Sequence, residues 1–192
     1  MTVVVKVGGS AGIDRAAVAA DVAAMAARGE HVVLVHGASA ETDALATTLG
    51  HPPRTVVSPS GQQSRRTDRR TLELFAMAAL GVETFAYVEL LRRSGAAAVG
   101  LFGVLRGPRK NVRAVEGDRT VLLRDDYTGK VEEIDADVLR DLLARGHHLL
   151  LHAALRERIR LVARGAGDEA RRIVDAAQQP RDVGEDHERV GP

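Results

Sequence analysis

Twice in its first fifty residues the chain places a β-branched run before a glycine turn and a helix-forming stretch, and this order leaves few architectures open. Val3 to Val7 lacks the polar alternation of a half-exposed strand and reads as a buried central strand. Gly8-Gly9-Ser10 breaks it, and Ile13 to Arg28 follows as an Ala-rich helix with a stripe of Val18, Val22 and Met25, closed by Gly29. His31 to Val35 is a second buried strand, stopped by His36-Gly37, and Ala40 to Leu49 a second helix ended by Gly50. Strand, glycine turn and helix in repeated order are the signature of a mainly parallel α/β sheet.

Beyond Gly50 the pattern continues with interruptions. His51 to Gln63 holds Pro52, Pro53, Pro59 and Gly61 and reads as a loop. Thr67 or Asp68 is placed to cap a helix running to about Leu80, where Gly81 interrupts; Thr84 to Ser94 forms another. Ala96 to Leu101 is a third strand candidate. Asn111 to Val115 and Thr120 to Arg124 alternate around Glu116-Gly-Asp118, the pattern of a hairpin. Val131 to Ile134 is a short strand, Asp135 to Arg145 a helix capped by Asp135 or Asp137, and His147 to His152 one more strand. Ala153 to Val183 is read as one or two helices. Pro180 to Pro192 has almost no apolar residues and is expected to be disordered.

Composition excludes several functions. The chain has 192 residues, enough for a single buried core without staples. It has no Cys, which removes disulfides and thiolate metal sites, and its seven His show no metal spacing. Aromatic residues are 3%, with no Trp, and net charge is +1, so neither base stacking nor a basic field supports a nucleic-acid partner. No basic leader opens the chain and no apolar run reaches about 18 residues, so the expected setting is cytoplasmic, with no membrane.

Four places carry possible chemistry. Lys6-Val7-Gly8-Gly9-Ser10 follows the first strand: glycines let backbone N–H groups approach a phosphate, and Lys6 supplies charge for phosphoryl transfer. The plain alternative is a strand-to-helix turn with an exposed Lys. His36-Gly37-Ala38-Ser39 ends the second strand, where ligands of open parallel sheets gather, and the two turns together would form one anion cradle. His36 itself reads as a structural hydrogen-bonder. Residues 54–70 hold five Arg against one Asp, suited to a carboxylate substrate or an acidic partner, though Arg69 and Arg70 fit a solvated helix start. Asp125-Asp126 fits a turn better than a Mg2+ site.

Taken together these residues resemble the amino acid kinase family. Within it the chain is most similar to the kinases that phosphorylate aminoadipate or glutamate held on an amino-group carrier protein, relatives of acetylglutamate kinase. The resemblance lies in Val4-Val-Lys6-Val-Gly-Gly-Ser-Ala-Gly-Ile13, Val33-Leu-Val-His-Gly37, Gly50-His-Pro-Pro-Arg54, Ser58-Pro-Ser-Gly61, Ser64 to Glu73, and Asp125 to Glu133. It implies a three-layer αβα sandwich, usually dimeric, that moves the ATP γ-phosphate, carried with Mg2+, to a side-chain carboxylate. Lys6 would then be catalytic, Gly8, Gly9 and Ser10 would line the phosphates, Gly37 and Ala38 would meet the reacting carboxylate, and Arg65 the substrate's other carboxylate. No protein metal site is expected. Arg54, Arg66, Arg69 and Lys130 are the candidates for facing an acidic carrier.

Three departures from the family pattern stand out. Ala38 occupies the place of a second glycine, Leu101 to Arg106 is shorter than the family's loop, and nothing after residue 146 resembles the family's second catalytic Lys or base site. The expected division is therefore a substrate-binding domain over residues 1–146 and a divergent tail over 147–192, an incomplete C-terminal half. The alternative function is a catalytically impaired paralogue that binds an acidic carrier or partner subunit.

Overall fold

The two strands that open the sequence lie side by side inside one parallel sheet. The computed structural model describes residues 1–152 and the strand Ile173–Ala176. β1 (Thr2–Val7) pairs with β2 (His31–His36), Val5 opposite Leu34 and Val7 opposite His36. The sheet continues through β5 (Ala98–Leu101), β10 (His148–His152) and β11 (Ile173–Ala176) in the order β11-β1-β2-β10-β5, every neighbour parallel.

Pleat alternation sorts the core into two layers. Val3, Val5, Val7, Val32, Leu34 and Leu150 face one side with Val22 of α1 (Arg15–Ala27) and Tyr87 and Leu91 of α4 (Phe85–Arg93). Val4, Val33, Val35, Leu149 and Leu151 face the other with Leu139 and Leu143 of α5 (Ala136–Ala144). Both faces are covered, which is why the strands read as unbroken apolar runs. This is the expected αβα sandwich. Asp14, Asp68 and Asp135 cap α1, α3 (Arg69–Ala76) and α5 through their carboxylates. Gly29, Gly50, Gly95 and Gly146, with φ of 80°, 69°, 83° and 81°, follow α1, α2 (Ser39–Thr48), α4 and α5.

The structure corrects the sequence reading in four places. The 51–63 stretch is not all loop: β3 (Thr55–Val57) pairs antiparallel with β4 (Gln63–Arg65), and its prolines flank the strands rather than interrupt them. Gly81 does not end a helix. Met77–Thr84 forms a π-helical turn joining α3 to α4 without a break, so the chain absorbs an extra residue instead of stopping. Leu105–Arg106 is a strand, β6, because Glu133–Ile134, β9, supplies an antiparallel partner far along the chain. Ile173–Ala176 is a strand beside β1, not part of a helix. The expected hairpin is present as β7 (Arg113–Glu116) and β8 (Arg119–Leu122). Residue 146 is followed at once by β10, which lies between β2 and β5. The disorder expected for 180–192 lies outside the described residues.

Candidate active site

All five strands run the same way, so β1 and β2 deliver their glycine turns to the same carboxyl edge of the sheet. The turns touch backbone to backbone. A Cβ on Gly9 would lie 2.3 Å from the Ala38 nitrogen, and one on Gly37 would lie 2.6 Å from the Gly9 nitrogen. The Gly9 carbonyl accepts from the Ala40 amide at 2.7 Å and from Ser39 Oγ at 2.6 Å. Only glycine allows this approach. Ala38 is 2% exposed with φ −148°, outside the left-handed region that favours glycine, so a second glycine is not required for this turn to form.

The two helices that follow differ in what they offer an anion. The α1 start is displaced to Arg15, and its Asp14 cap accepts from the Ala17 amide, so a carboxylate already occupies it. The sequence reading, which began this helix at Ile13, gave the loop a helix N-terminus it does not have. The α2 start has no side-chain cap and lies directly on the Gly37-Ala38 turn; the Gly9 carbonyl takes the Ala40 amide, and the rest of its first turn is open to an incoming carboxylate or phosphate.

Lys6 shares the pleat phase of Val4, on the α5 face, and is half-buried. On the opposite face Gly8, Gly9, Ser10, Gly12, Arg15, Glu41, Glu83 and Tyr87 line a cavity of about 250 Å³ that Lys6 does not border. The glycine loop thus separates a lysine in front from a charged cavity behind. Further along the carboxyl edge, Leu101, Val104, Leu105, Val131, Leu151 and Lys130 line an apolar pocket of about 300 Å³ at the ends of β5 and β10. His152, opposite His36 in the ladder, also borders it and packs on Phe75 and Phe102.

The predicted arginines meet different fates. Arg65 reaches α2: its Nη2 donates to Asp43 Oδ1 at 2.5 Å and to the Ser39 carbonyl at 3.1 Å, beside the Gly37-Ala38 turn. Arg66 is held by Asp125, with Nη2 at 2.7 Å from both carboxylate oxygens, and this pair keeps the Asp125 carboxyl below its usual range. Arg69 pairs with Glu73 at 3.0 Å and Lys130 with Glu132 at 3.5 Å, both exposed, while Arg54 lies exposed at the base of β3.

Arg109, Glu83, Arg15 and Tyr87 escaped the sequence reading, while Asp126 and His36 take the turn and hydrogen-bonding places it gave them. Asp126 is fully buried and accepts from the amides of Thr67 (3.0 Å) and Thr128 (2.8 Å), so it forms a latch rather than a metal ligand. Arg109 grips the Asp126 and Arg124 carbonyls and stacks over Tyr127 at 4.5 Å. Glu83, 7% exposed, receives Arg15 at 2.6 and 3.0 Å. Its only trace in the sequence is an acid inside an apolar helical stretch. His36 is buried, which pushes its pKa below the ordinary 6.5, and its Nε2 lies 2.9 Å from Thr84 Oγ1. Burial, with Glu83 nearby, pushes the Tyr87 hydroxyl up to about 12.

Comparison with known proteins fits this arrangement. A model of the amino acid kinase family matches residues 1–174. The chain belongs to the amino acid kinase family. It is 47% identical over 150 residues to a [LysW]-aminoadipate kinase of Thermus thermophilus, covering 76% of this chain and 56% of that protein. To the [LysW]-aminoadipate kinase of Deinococcus radiodurans it is 48% identical over 150 residues, covering 76% and 51%. The chain therefore spans about half the length of these relatives. In fold it is similar to smu.665 of Streptococcus mutans (TM-score 0.59, 19% identity, 79% of this chain and 58% of the other). It is also similar to N-acetylglutamate synthase of Neisseria gonorrhoeae (TM-score 0.58, 24% identity, 79% and 33%).

Proposed function

We propose that this chain carries the substrate-binding part of a kinase that moves the γ-phosphoryl group of ATP to the side-chain carboxylate of aminoadipate or glutamate. The amino group of that substrate is held on an acidic carrier protein or otherwise acylated, in lysine or arginine biosynthesis or a related pathway. The observation that carries this reading is the contact of Gly9 with Gly37 and Ala38, which presents two glycine turns and an uncapped helix start at one sheet edge. Such a surface fits a carboxylate and a phosphate brought close together.

The residues divide the work. The Gly37-Ala38 turn holds the reacting carboxylate through the Ala38 N–H, since the Gly37 amide is bonded to the Val7 carbonyl at 3.1 Å and Gly37 contributes by lacking a side chain, while Gly8, Gly9 and Ser10 line the phosphates. Lys6 offsets the charge that spreads over the transferring group. A carboxylate oxygen attacks the γ-phosphorus, the bond to the β-phosphate bridge breaks, and an acyl phosphate and ADP result. ATP brings Mg2+ with it; no group of three His, Cys, Asp or Glu is placed to hold a metal among the described residues. Arg65 meets the substrate's second carboxylate after sharing or leaving Asp43, and the apolar pocket at the ends of β5 and β10 receives the chain beyond it. Arg54, Arg69 and Lys130 offer charge to the carrier; Arg66 does so only by giving up Asp125.

A homodimer completes the reading, in the cytoplasm where ATP is supplied. Met77, Val82 and Phe85, 50%, 43% and 64% exposed, mark the outer face of the π turn and the start of α4. The helical run Arg69–Arg93 holds an 18-residue apolar window of which 39% is buried.

A hydroxamate assay with ATP, Mg2+ and substrate-loaded carrier tests the proposal. Acyl phosphate is expected, and Lys6→Ala should lower its formation at least about a hundredfold, the scale of one lost electrostatic contact to the transition state. Carrier binding without turnover would identify a binding module instead.

A further inference from the structure

The cavity behind the glycine turns holds charged groups that face away from Lys6. Arg15 binds Glu83 through Nε and Nη2 at 3.0 and 2.6 Å and also meets Glu41 of α2. His36, on the same face as Val32 and Leu34, meets Thr84. Glu83 and Thr84 are consecutive, and both end the π turn.

The π turn makes this double contact possible. The Thr84 hydroxyl donates to the Ala79 carbonyl at 2.8 Å, a five-residue step that an α-helix, with its four-residue period, does not align. That hydroxyl has one proton and has spent it on Ala79. It can then only accept from His36 Nε2, while His36 Nδ1 lies 3.3 Å from the Gly37 carbonyl, also an acceptor, so the two contacts draw on the single N–H of the neutral ring. The Thr84 methyl fills the place where Gly100 of β5 lacks a side chain; a Cβ there would lie 2.4 Å from Thr84 Cγ2.

We propose that Arg15 and His36 are positioning residues that fasten the two glycine turns to this single π turn and so fix their separation. Arg15 anchors the loop after β1 through Glu83, and His36 anchors the end of β2 through Thr84. Neither touches the reacting atoms. This rests on reading the glycine turns as the phosphoryl-transfer site, but its decisive measurement does not.

Native-state hydrogen exchange reads the contact directly, because the Ala40 amide is bonded to the Gly9 carbonyl and the Gly37 amide to the Val7 carbonyl. Thr84→Val keeps the shape and removes the hydroxyl; Thr84→Ser restores it; Glu83→Gln removes the charge that Arg15 binds. Exchange at Ala40 and Gly37 should quicken about tenfold in Thr84→Val and Glu83→Gln, the worth of one buried hydrogen bond. The Leu34 amide in β2 should be unchanged, and Thr84→Ser, which keeps the hydroxyl but loses the methyl against Gly100, should leave exchange at Ala40 and Gly37 slower than Thr84→Val does. In Thr84→Val the His36 ring should move toward the Nδ1–H tautomer relative to the wild type and Thr84→Ser, because only the Gly37 carbonyl is left to accept from it. Unchanged exchange at Ala40 and Gly37, or equal acceleration at Leu34, overturns the proposal. ATP binding measured alongside should weaken in the same order. A wild-type chain that binds no ATP rejects the kinase reading and leaves the exchange result standing.

Discussion

Gly9 is the residue whose side chain matters most by being absent. Its Cβ would strike backbone atoms of Gly37, Ala38 and Ser39 at 2.3 to 2.7 Å, and backbone cannot swing aside as a side-chain tip can. Gly9→Ala should cost about 3 kcal/mol in urea unfolding, the upper end of overpacking. Ala38→Gly should cost about 1–2 kcal/mol, because it removes a buried methyl and adds chain entropy to the unfolded state. Histidine sets the pH response. His36, His148 and His152 are each held below 6.5, chiefly by burial. Between that depressed value and 6.5 the unfolded chain binds more protons than the folded one, so stability falls as pH drops through this window. A second loss follows at lower pH as Asp68, held down by the Thr71 amide, takes a proton. The urea midpoint should therefore fall between pH 7 and 5, with a flatter slope in His36→Gln. An unchanged slope would remove His36 from the account.

At the scale of elements, the antiparallel pieces depend on a few polar clasps. The segment after β4 is joined to the segment after β8 by Asp126 and by the Tyr127 amide donating to the Thr67 carbonyl at 2.7 Å, and the Arg109 fork ties the stretch before β7 to that same segment. Asp126→Ala leaves the Thr67 and Thr128 amides without this acceptor, a loss of about 2–3 kcal/mol for two buried groups. The expected signature is local: faster exchange at the Tyr127 and Thr128 amides, with β1 and β2 protected as before. Uniform loss of protection would mean that the clasp supports the whole core. The turn at Asp125-Asp126 was legible in the sequence, but the partners of Asp126 and Arg109 were not, because they are backbone groups that a linear pattern does not reveal. The strands β3 and β6 were missed for a related reason. Each has only two or three residues and exists through its partner.

At the scale of the molecule, one face of the long helical run builds the core through Leu74, Ala78, Ala79, Tyr87 and Leu91, while the other leaves Met77, Val82 and Phe85 in solvent. If this outer face joins two copies, Phe85→Arg with Val82→Arg should shift the mass seen by light scattering from dimer to monomer, with little change in far-UV circular dichroism. Two charges added to an open surface with no partner would change neither. The π turn lies between this face and the glycine turns, so a contact made outside meets the element that fastens the site inside.

The sequence alone determined the parallel α/β order, the two strand-end glycine turns, a cap at Thr67 or Asp68 and at Asp135 or Asp137, and the family, because each depends on neighbours within a few positions or on an unbroken motif; the Asp14 cap was seen only in the structure. It also marked Lys6 and Arg65. Only the tertiary structure decided that Lys6 lies on the α5 face while Arg15, Glu83 and His36 stand behind the turns. It alone showed that α2 rather than α1 offers a free helix start, and that Arg66 is taken by Asp125. These outcomes depend on pleat phase, on one extra residue in a helix and on ion pairs up to 68 positions apart in the chain. Local propensity encodes none of them, since each is fixed by the packing of elements that meet only after folding.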